Sequence, residues 1–549
     1  MRQCFLVFFF FLFAHYFFLF CLLFNYICCS IIMDSRELNL PKYMVYCGVI
    51  AGIGAFSNGW TIGSPNVPGD VTHNCPTGSA HTKNPAFPDC LPMSTSLWGF
   101  AVASFCVGGL IGSAVGGSIQ TRLGRRLTII VNNAGFILGA ILIGCAVHTA
   151  MFIIGRILCG LSCGLGSLVI PTYLGEISTR RGRGLVGFLN QFFVVTGILL
   201  SSIIGLPTAN VPLWRLNYAI VAIPAIFQVF MMGTCVESPR YLISVHRMSD
   251  AMESLQKLRG AHADVSEEFL DIVVGQFGRQ RGIRLLQEHA LDKNMQSMAV
   301  ASHGRVADDE GFETAAAAAP KEYNDDVEAN GEDQQRPPMS IIEIFRDPVI
   351  RKISIIVLVH HMIQQLSGMN AVMYYSTTIF EQAVDKQNAQ YMAIYTTVVN
   401  FGMSIVAMLF IDRMGRRPLL LMAEAGTCIF SVLLVVGYKC NSSNLLVASV
   451  FIYVASFAIG IGPVPWMITS ELSPIYASSS VGAVATAMNW AMNFLIGQVF
   501  PVIFAAIQGW SFLIFAVICF MAFLFTFFFL PETKNRAIED IVASFQKKH

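Results

Sequence analysis

Apolar runs of about 20 residues, the length that crosses a hydrocarbon core of about 30 Å, recur along this chain with short polar breaks between them. They fall near 43–63, 95–118, 127–148, 151–175, 185–206, 216–236, 352–379, 390–411, 418–438, 445–468, 481–505 and 509–530. The pattern predicts an all-α membrane protein with twelve transmembrane helices in two pseudo-symmetric six-helix bundles, and short cytoplasmic helices in the central loop. Expected boundaries are an apolar segment and polar lead (1–42), an N-terminal bundle (43–240), a cytoplasmic linker (241–348), a C-terminal bundle (349–530) and a cytoplasmic tail (531–549). Within the linker, 247–277 has amphipathic helical character, whereas 315–338, with its alanine run and many acids, reads as disordered. Residues 1–32 carry Arg2 as their only charge and precede Met33-Asp34-Ser35-Arg36-Glu37. Met33 is the expected initiator, with a signal anchor as the alternative.

Composition agrees with that pattern: of 549 residues, 54% are hydrophobic and 13% charged, which excludes an ordinary soluble domain. A net charge of +1 gives no case for nucleic acid. The placement of the cations says more than their sum. Arg122, Arg125 and Arg126, then Arg180, Arg181 and Arg183, then Arg413, Arg416 and Arg417 follow the second, fourth and eighth spans. By the positive-inside rule those loops are cytoplasmic, and the 64–94 loop and the Asn441-Ser442-Ser443 sequon face outward. Outside, Cys75 and Cys90 are disulfide candidates and Asn441 a glycosylation candidate. The other cysteines lie mostly alone in apolar spans, where a thiol acts as a small hydrophobe.

The chemistry concentrates where hydrocarbon would be cheapest. Gln364, Gln365 and Asn370, with Ser367-Gly368 between them and Tyr374, Tyr375 and Ser376 after, interrupt an apolar run. An unpaired amide facing lipid costs roughly 4 to 8 kcal/mol on a cyclohexane scale, so these groups must face protein, water or a polar ligand. A straight helix would hold Gln365 and Asn370 roughly 140° apart. Turning both to one ligand requires a break, which Ser367-Gly368 permits. Amides and phenols donate and accept, as a neutral polyol requires. The bland reading, polar glue between helices, fits one amide better than a cluster.

The halves repeat. Gly124-Arg125-Arg126 returns as Gly415-Arg416-Arg417, Glu176 as Glu471 and Glu237 as Glu532, at nearly constant separation. Two matched bundles suit alternating access around a central site, with charges at the inner ends as a latch that only a network of weak pairs could supply.

Taken together these residues resemble the sugar porters of the major facilitator superfamily, most of all the facilitative glucose (hexose) transporters, from about residue 43 to 540. The motifs are Arg122-Leu123-Gly124-Arg125-Arg126, Gly155-Arg156, Pro171-Thr172-Tyr173-Leu174-Gly175-Glu176, Glu237-Ser238-Pro239-Arg240, 364–370, 412–417, Gly462-Pro463-Val464-Pro465-Trp466, Asn489-Trp490 and Pro531-Glu532-Thr533-Lys534. The resemblance implies that Gln191, Gln364, Gln365, Asn370, Asn400, Trp466 and Asn489 bind sugar, with Phe457 and Trp490 as an aromatic wall. It implies gating by Tyr374 and Tyr375 outside and flexibility at Pro463 and Pro465 inside. Its cytoplasmic network would comprise Arg125, Arg126, Glu176, Arg183, Glu237, Arg240, Asp412, Arg416, Arg417 and Glu471. Three departures matter. Thr61 stands where proton-coupled relatives carry an aspartate, Ala458 where many glucose facilitators carry a glutamate, and Ser478 near the place of an arginine expected after Glu471.

The expected function is uniport of glucose or a related hexose by a monomer among lipids, most naturally in the plasma membrane, without cofactor or metal. Proton symport is the alternative mechanism. A non-transporting sugar sensor is the alternative class, though the tail after Leu530 is short for one. No nucleophile–base set, metal-ligand spacing or phosphate-binding glycine loop suggests an enzyme.

Overall fold

A chain crossing lipid must satisfy its backbone polar groups within each crossing, and helices do so. The structure, a computed structural model, describes residues 40–75, 88–179, 182–261, 263–277, 282, 285, 339–534, 536, 541–542 and 544–545. The readings made for 1–32 and 315–338 lie outside the described residues. Eleven stretches are long and apolar enough to cross a bilayer, and the last, Tyr476–Phe529, breaks at Gln508 into two helices, giving twelve. The N-terminal bundle comprises α1 (Lys42–Gly63), α2 (Thr95–Leu123), α3 (Arg125–Gly144), α4 (Thr149–Ile177), α5 (Arg183–Thr208) and α6 (Trp214–Met232). The C-terminal bundle comprises α7 (Pro348–Phe380), α8 (Lys386–Met414), α9 (Arg416–Lys439), α10 (Ser443–Leu472), α11 (Ile475–Ile507) and α12 (Ser511–Phe529).

Several helices overrun the expected spans; α2 has 29 residues and α11 has 33, about 50 Å at 1.5 Å per residue. Their ends are set by backbone chemistry rather than by hydropathy. At the two short inner turns, Gly124 (φ 85°) and Gly415 (φ 91°) adopt a positive φ that other residues rarely take.

Main packing pairs of one bundle have counterparts in the other: α1 with α5 as α7 with α11, α2 with α4 as α8 with α10, and α3 with α6 as α9 with α12. Between bundles, α2 packs on α11 and α5 on α8. The repeat reaches single hydrogen bonds. Arg126 Nη2 donates to Gly233 O (2.6 Å) and Arg417 Nη2 to Phe527 O (2.6 Å); Arg125 Nη1 reaches Gln120 O and Arg416 Nη1 reaches Ile411 O.

The α2–α4 crossing is close because glycines line it. A Cβ on Gly160 would lie 1.8 Å from Phe105 O, and one on Gly164 would lie 2.0 Å from Gly109 O. Small residues allow such backbone approach where hydrophobic exclusion cannot drive helices together.

Residues Glu237–Pro338 form a separate unit. Helices Pro239–Ser244, Met248–Arg259 and Ser266–Phe277 bury Leu242, Ile243, Leu255, Leu258 and Phe269, and Arg259 makes a two-pronged pair with Glu268 (2.8 and 2.6 Å). The amphipathic reading of 247–277 thus corresponds to two helices joined by a turn at Gly260 (φ 106°).

Gly160→Ala is expected to force α2 from α4 and cost about 1–3 kcal/mol, as overpacking does. Gly175→Ala, where an added Cβ meets nothing within 4 Å, should not lower stability. Thermal unfolding of the two purified variants makes the comparison.

Candidate functional site

The break in α7 places the polar groups around it. Its inner part (Pro348–Leu366) ends at Ser367, Gly368 turns left-handed (φ 92°), and its outer part (Met369–Phe380) begins one residue later. A Cβ on Gly368 would collide with the Phe515 ring at 2.5 Å, so both φ and space demand glycine. Tyr453 Oη donates to the freed Ser367 carbonyl (2.5 Å), and this bond fixes α10 to the break.

Across the break the amides meet. Asn370 Nδ2 donates to Gln365 Oε1, and Gln365 Nε2 donates to Asn489 Oδ1 (2.9 Å). Asn489 Nδ2 in turn donates to Gln364 Oε1 (2.7 Å) and His361 O (3.2 Å), and Gln364 Nε2 donates to Gly462 O (2.5 Å). A single network therefore joins α7, α11 and the second break, in α10 between Ile459 and Val464. Its groups are neutral, and each is both donor and acceptor.

Aromatic rings border the network. Trp490 is buried, 5.8 Å edge-on from Phe105 of α2, and its indole N–H has no partner. Trp466 is half-buried and lies edge-on to His361 at 4.8 Å. Phe457 caps the start of the α10 break, its carbonyl accepting from Gly462 N (3.0 Å). Pro463 and Pro465 flank Val464 in the same break.

Tyr374 Oη donates to Asn493 Oδ1 (2.7 Å) with its ring against Phe105, and Tyr375 Oη donates to Gly497 O (2.9 Å). Both phenols thus hold α7 to α11. Gln191 on α5 is half-buried and Asn400 on α8 is buried, and neither side chain bonds the α7–α11 network. The bundles are joined at the outer end: Asn66 Nδ2 donates to Ser376 Oγ (2.7 Å), Lys386 pairs with Asp70, and Gln498 Nε2 reaches Ser96 O (3.3 Å). Burial opposes ionisation of Asp70, yet Lys386 and Asn74 hold its carboxyl below the usual range. Cys75 and Cys90 are disulfide-bonded, and Asn441 is exposed between α9 and α10.

At the inner end, Arg125 Nη2 pairs with Glu176 (2.8 Å) and Arg416 with Glu471 (2.9 Å), each within its own bundle. Glu532 takes the place of a helix cap: its carboxylate accepts from the backbone N–H groups of Arg416 (3.0 Å) and Arg417 (3.1 Å) at the start of α9. Burial works against that carboxylate, but these bonds and those from Thr533 and Lys534 hold its pKa down. Its stabilisation is present at neutral pH and lost as pH falls through the folded value. Glu237 and Arg240 belong to the linker unit, where Glu237 Oε1 accepts from Ser238 N (2.9 Å). The side chains of Arg183 and Asp412 lie outside the described residues.

Four residues in or near the polar centre were given no role in the sequence reading. Asn493 and His361 lie one helical turn from Asn489 and Gln365, so i, i+4 spacing could have found them. Arg156, buried on α4, donates to Thr61 O (2.7 Å) and Val102 O (2.9 Å) and stacks on Phe105. Glu424, in mid-span on α9, could have been found as a lone charge in an apolar run.

The fold and its polar centre are those of a membrane carrier built from two repeated bundles. The family profile described as "Sugar (and other) transporter" matches residues 44–300 and 292–545, and the chain belongs to that family. It is a multi-pass integral membrane protein and a transporter, not an enzyme. It is 34% identical over 519 residues to facilitated glucose transporter member 3 of Oryctolagus cuniculus (92% of this chain, 93% of the relative). To member 4 of Mus musculus it is 34% identical over 511 residues (90% and 89%). In fold it is similar to the xylose transporter XylE from E. coli in a partially occluded inward-open conformation (TM-score 0.65, 23% identity, 90% of this chain and 100% of that one).

Asn489→Ala removes the donor to Gln364 Oε1 and His361 O and the acceptor of Gln365 Nε2, leaving Gln364 Oε1 only the longer bond from Gln365 Nε2 (3.3 Å), so it should lower stability by about 1–3 kcal/mol. Asn441→Gly, on the exposed turn where the backbone has a positive φ (50°), should not. Denaturation of the purified variants distinguishes them.

Proposed function

We propose that the protein moves glucose or a closely related hexose down its gradient, by alternating access of the two bundles around the α7–α11 amide network. The observation that carries this reading is the closed set of bonds among Gln364, Gln365, Asn370 and Asn489. A sugar hydroxyl, donor and acceptor at once, can replace such a bond with little net cost, whereas an ion would find no countercharge. In this reading Gln191 and Asn400 complete the contacts from α5 and α8, Trp466, Trp490 and Phe457 supply flat faces for the C–H side of the ring, and the free Trp490 N–H takes a hydroxyl. Tyr374 and Tyr375 gate the outside, and the glycine–proline break at 462–465 yields on the inside.

Facilitated diffusion is preferred to symport because Thr61 offers no carboxylate to Arg156, which is bonded instead to backbone carbonyls. The relatives are named facilitated glucose transporters, which favours the same reading. A related fold is named a proton:xylose symporter, so the mechanism needs its own test. The inner pairs Arg125–Glu176 and Arg416–Glu471, with Arg126, Arg183, Glu237, Arg240, Asp412 and Arg417 nearby in sequence, would bias the conformational equilibrium as a network. We place the carrier in the plasma membrane as a monomer, with Asn441 glycosylated.

Uptake of labelled sugars in cells lacking their own hexose carriers should show glucose entry that a protonophore leaves unchanged. Gln365→Ala should raise the half-saturating concentration by the equivalent of about 0.5–1.5 kcal/mol per lost bond without reducing surface expression. Abolition of uptake by the protonophore would replace uniport with symport; unchanged affinity with poor expression would make Gln365 structural.

A further inference from the structure

Glu424 is completely buried on α9, about 12 Å along the helix from its inner end, among residues that offer it no cation. Its Oε1 stands 2.8 Å from Thr526 Oγ1 on α12, and Thr526 Oγ1 stands 3.2 Å from His360 Nε2 on α7. His360 Nδ1 is 2.7 Å from Ile356 O. Glu424 Oε2 has no partner.

Counting protons along this chain leaves few choices. A carbonyl can only accept, so Nδ1 of His360 carries a proton. In neutral imidazole Nε2 is then bare and must accept from the Thr526 hydroxyl. With its hydrogen so used, Thr526 oxygen can only accept from Glu424, whose carboxyl must be protonated. The other consistent arrangement moves one proton along the same path. Glu424 gives its hydrogen to Thr526 Oγ1 while Thr526 passes its own to His360 Nε2, leaving carboxylate and imidazolium. Net charge is zero either way. A carboxylate beside a neutral histidine would leave one bond of the three unmade and a bare charge in an apolar bundle.

The other titratable groups around the trio do not replace this proton. Cys519 of α12 faces Glu424, Cys428 of α9 donates to Ala516 O, and Tyr453 of α10 is bonded to Ser367 O. His361 bonds Thr469 Oγ1 through Nε2 (2.9 Å), and that hydroxyl donates to Pro465 O (2.8 Å). No lysine, arginine or second carboxylate among the described residues contacts the trio.

We propose that Glu424, Thr526 and His360 form a resident proton-binding site inside the C-terminal bundle, its single proton resting on Glu424 and shared through Thr526 with His360. All three residues belong to the C-terminal bundle. The site holds α7, α9 and α12 together, and alkaline removal of the proton loosens them and slows transport. That last consequence rests on the proposed transport activity; the protonation state does not.

Infrared spectra of the purified protein in proteoliposomes at neutral pH test the site directly. The wild type should show a deuterium-sensitive C=O stretch of a protonated carboxyl that is lost in Glu424→Gln and shifted upward in Thr526→Val, where the acid has lost its acceptor. With equal pH on both sides, wild-type glucose exchange should fall several-fold from neutral to alkaline pH, while Glu424→Gln, a permanent mimic of the protonated form, stays flat. Spectra of wild type and Glu424→Gln that agree in the carboxyl region would overturn the proposal, as would an unmoved band in Thr526→Val. Absent sugar exchange with the band intact would count against the transport reading alone.

Discussion

An amide in hydrocarbon must be bonded or it will not stay, and most of this molecule's design follows from that requirement. Gln364, Gln365, Asn370 and Asn489 satisfy one another across the break in α7, and the break exists because Gly368 turns left-handed against Phe515. Tyr453 and Gly462 then tie α10 to the same place. The result is a polar centre whose neutral amides satisfy one another.

Around that centre the two bundles are alike down to single arginine–carbonyl bonds. Each inner turn has a positive-φ glycine followed by an arginine that pairs with the glutamate of a later helix. Because these pairs lie within bundles, they stiffen each bundle as a body. Bonds at the outer end instead run between bundles, through Asn66, Asp70 and Lys386. Stiff bodies joined at one rim are what a rocking mechanism needs.

Much of this was legible in the sequence, and for identifiable reasons. Hydropathy gave the twelve crossings, and the angular conflict between Gln365 and Asn370 required a break where Ser367-Gly368 stands. Helix lengths were underestimated, because hydropathy marks the hydrocarbon whereas helices such as α2 and α8 run on to their glycine stops. Asn493 and His361 were missed although both sit one turn from residues already chosen. The outer seam could not be read, since Asn66 and Ser376 are brought together only by packing of the bundles. The setting of Glu424 could not be read either: its partners Thr526 and His360 are distant in sequence and meet it only through packing among α7, α9 and α12.

The central claim is that sugar binds at the α7–α11 network and crosses there. Counterflow in proteoliposomes tests it most directly: vesicles loaded with unlabelled glucose should transiently concentrate labelled glucose from outside, and Asn370→Ala should shift the concentration at which they do. Sugar binding to the purified protein without any counterflow would contradict the account and leave a sensor in place of a carrier.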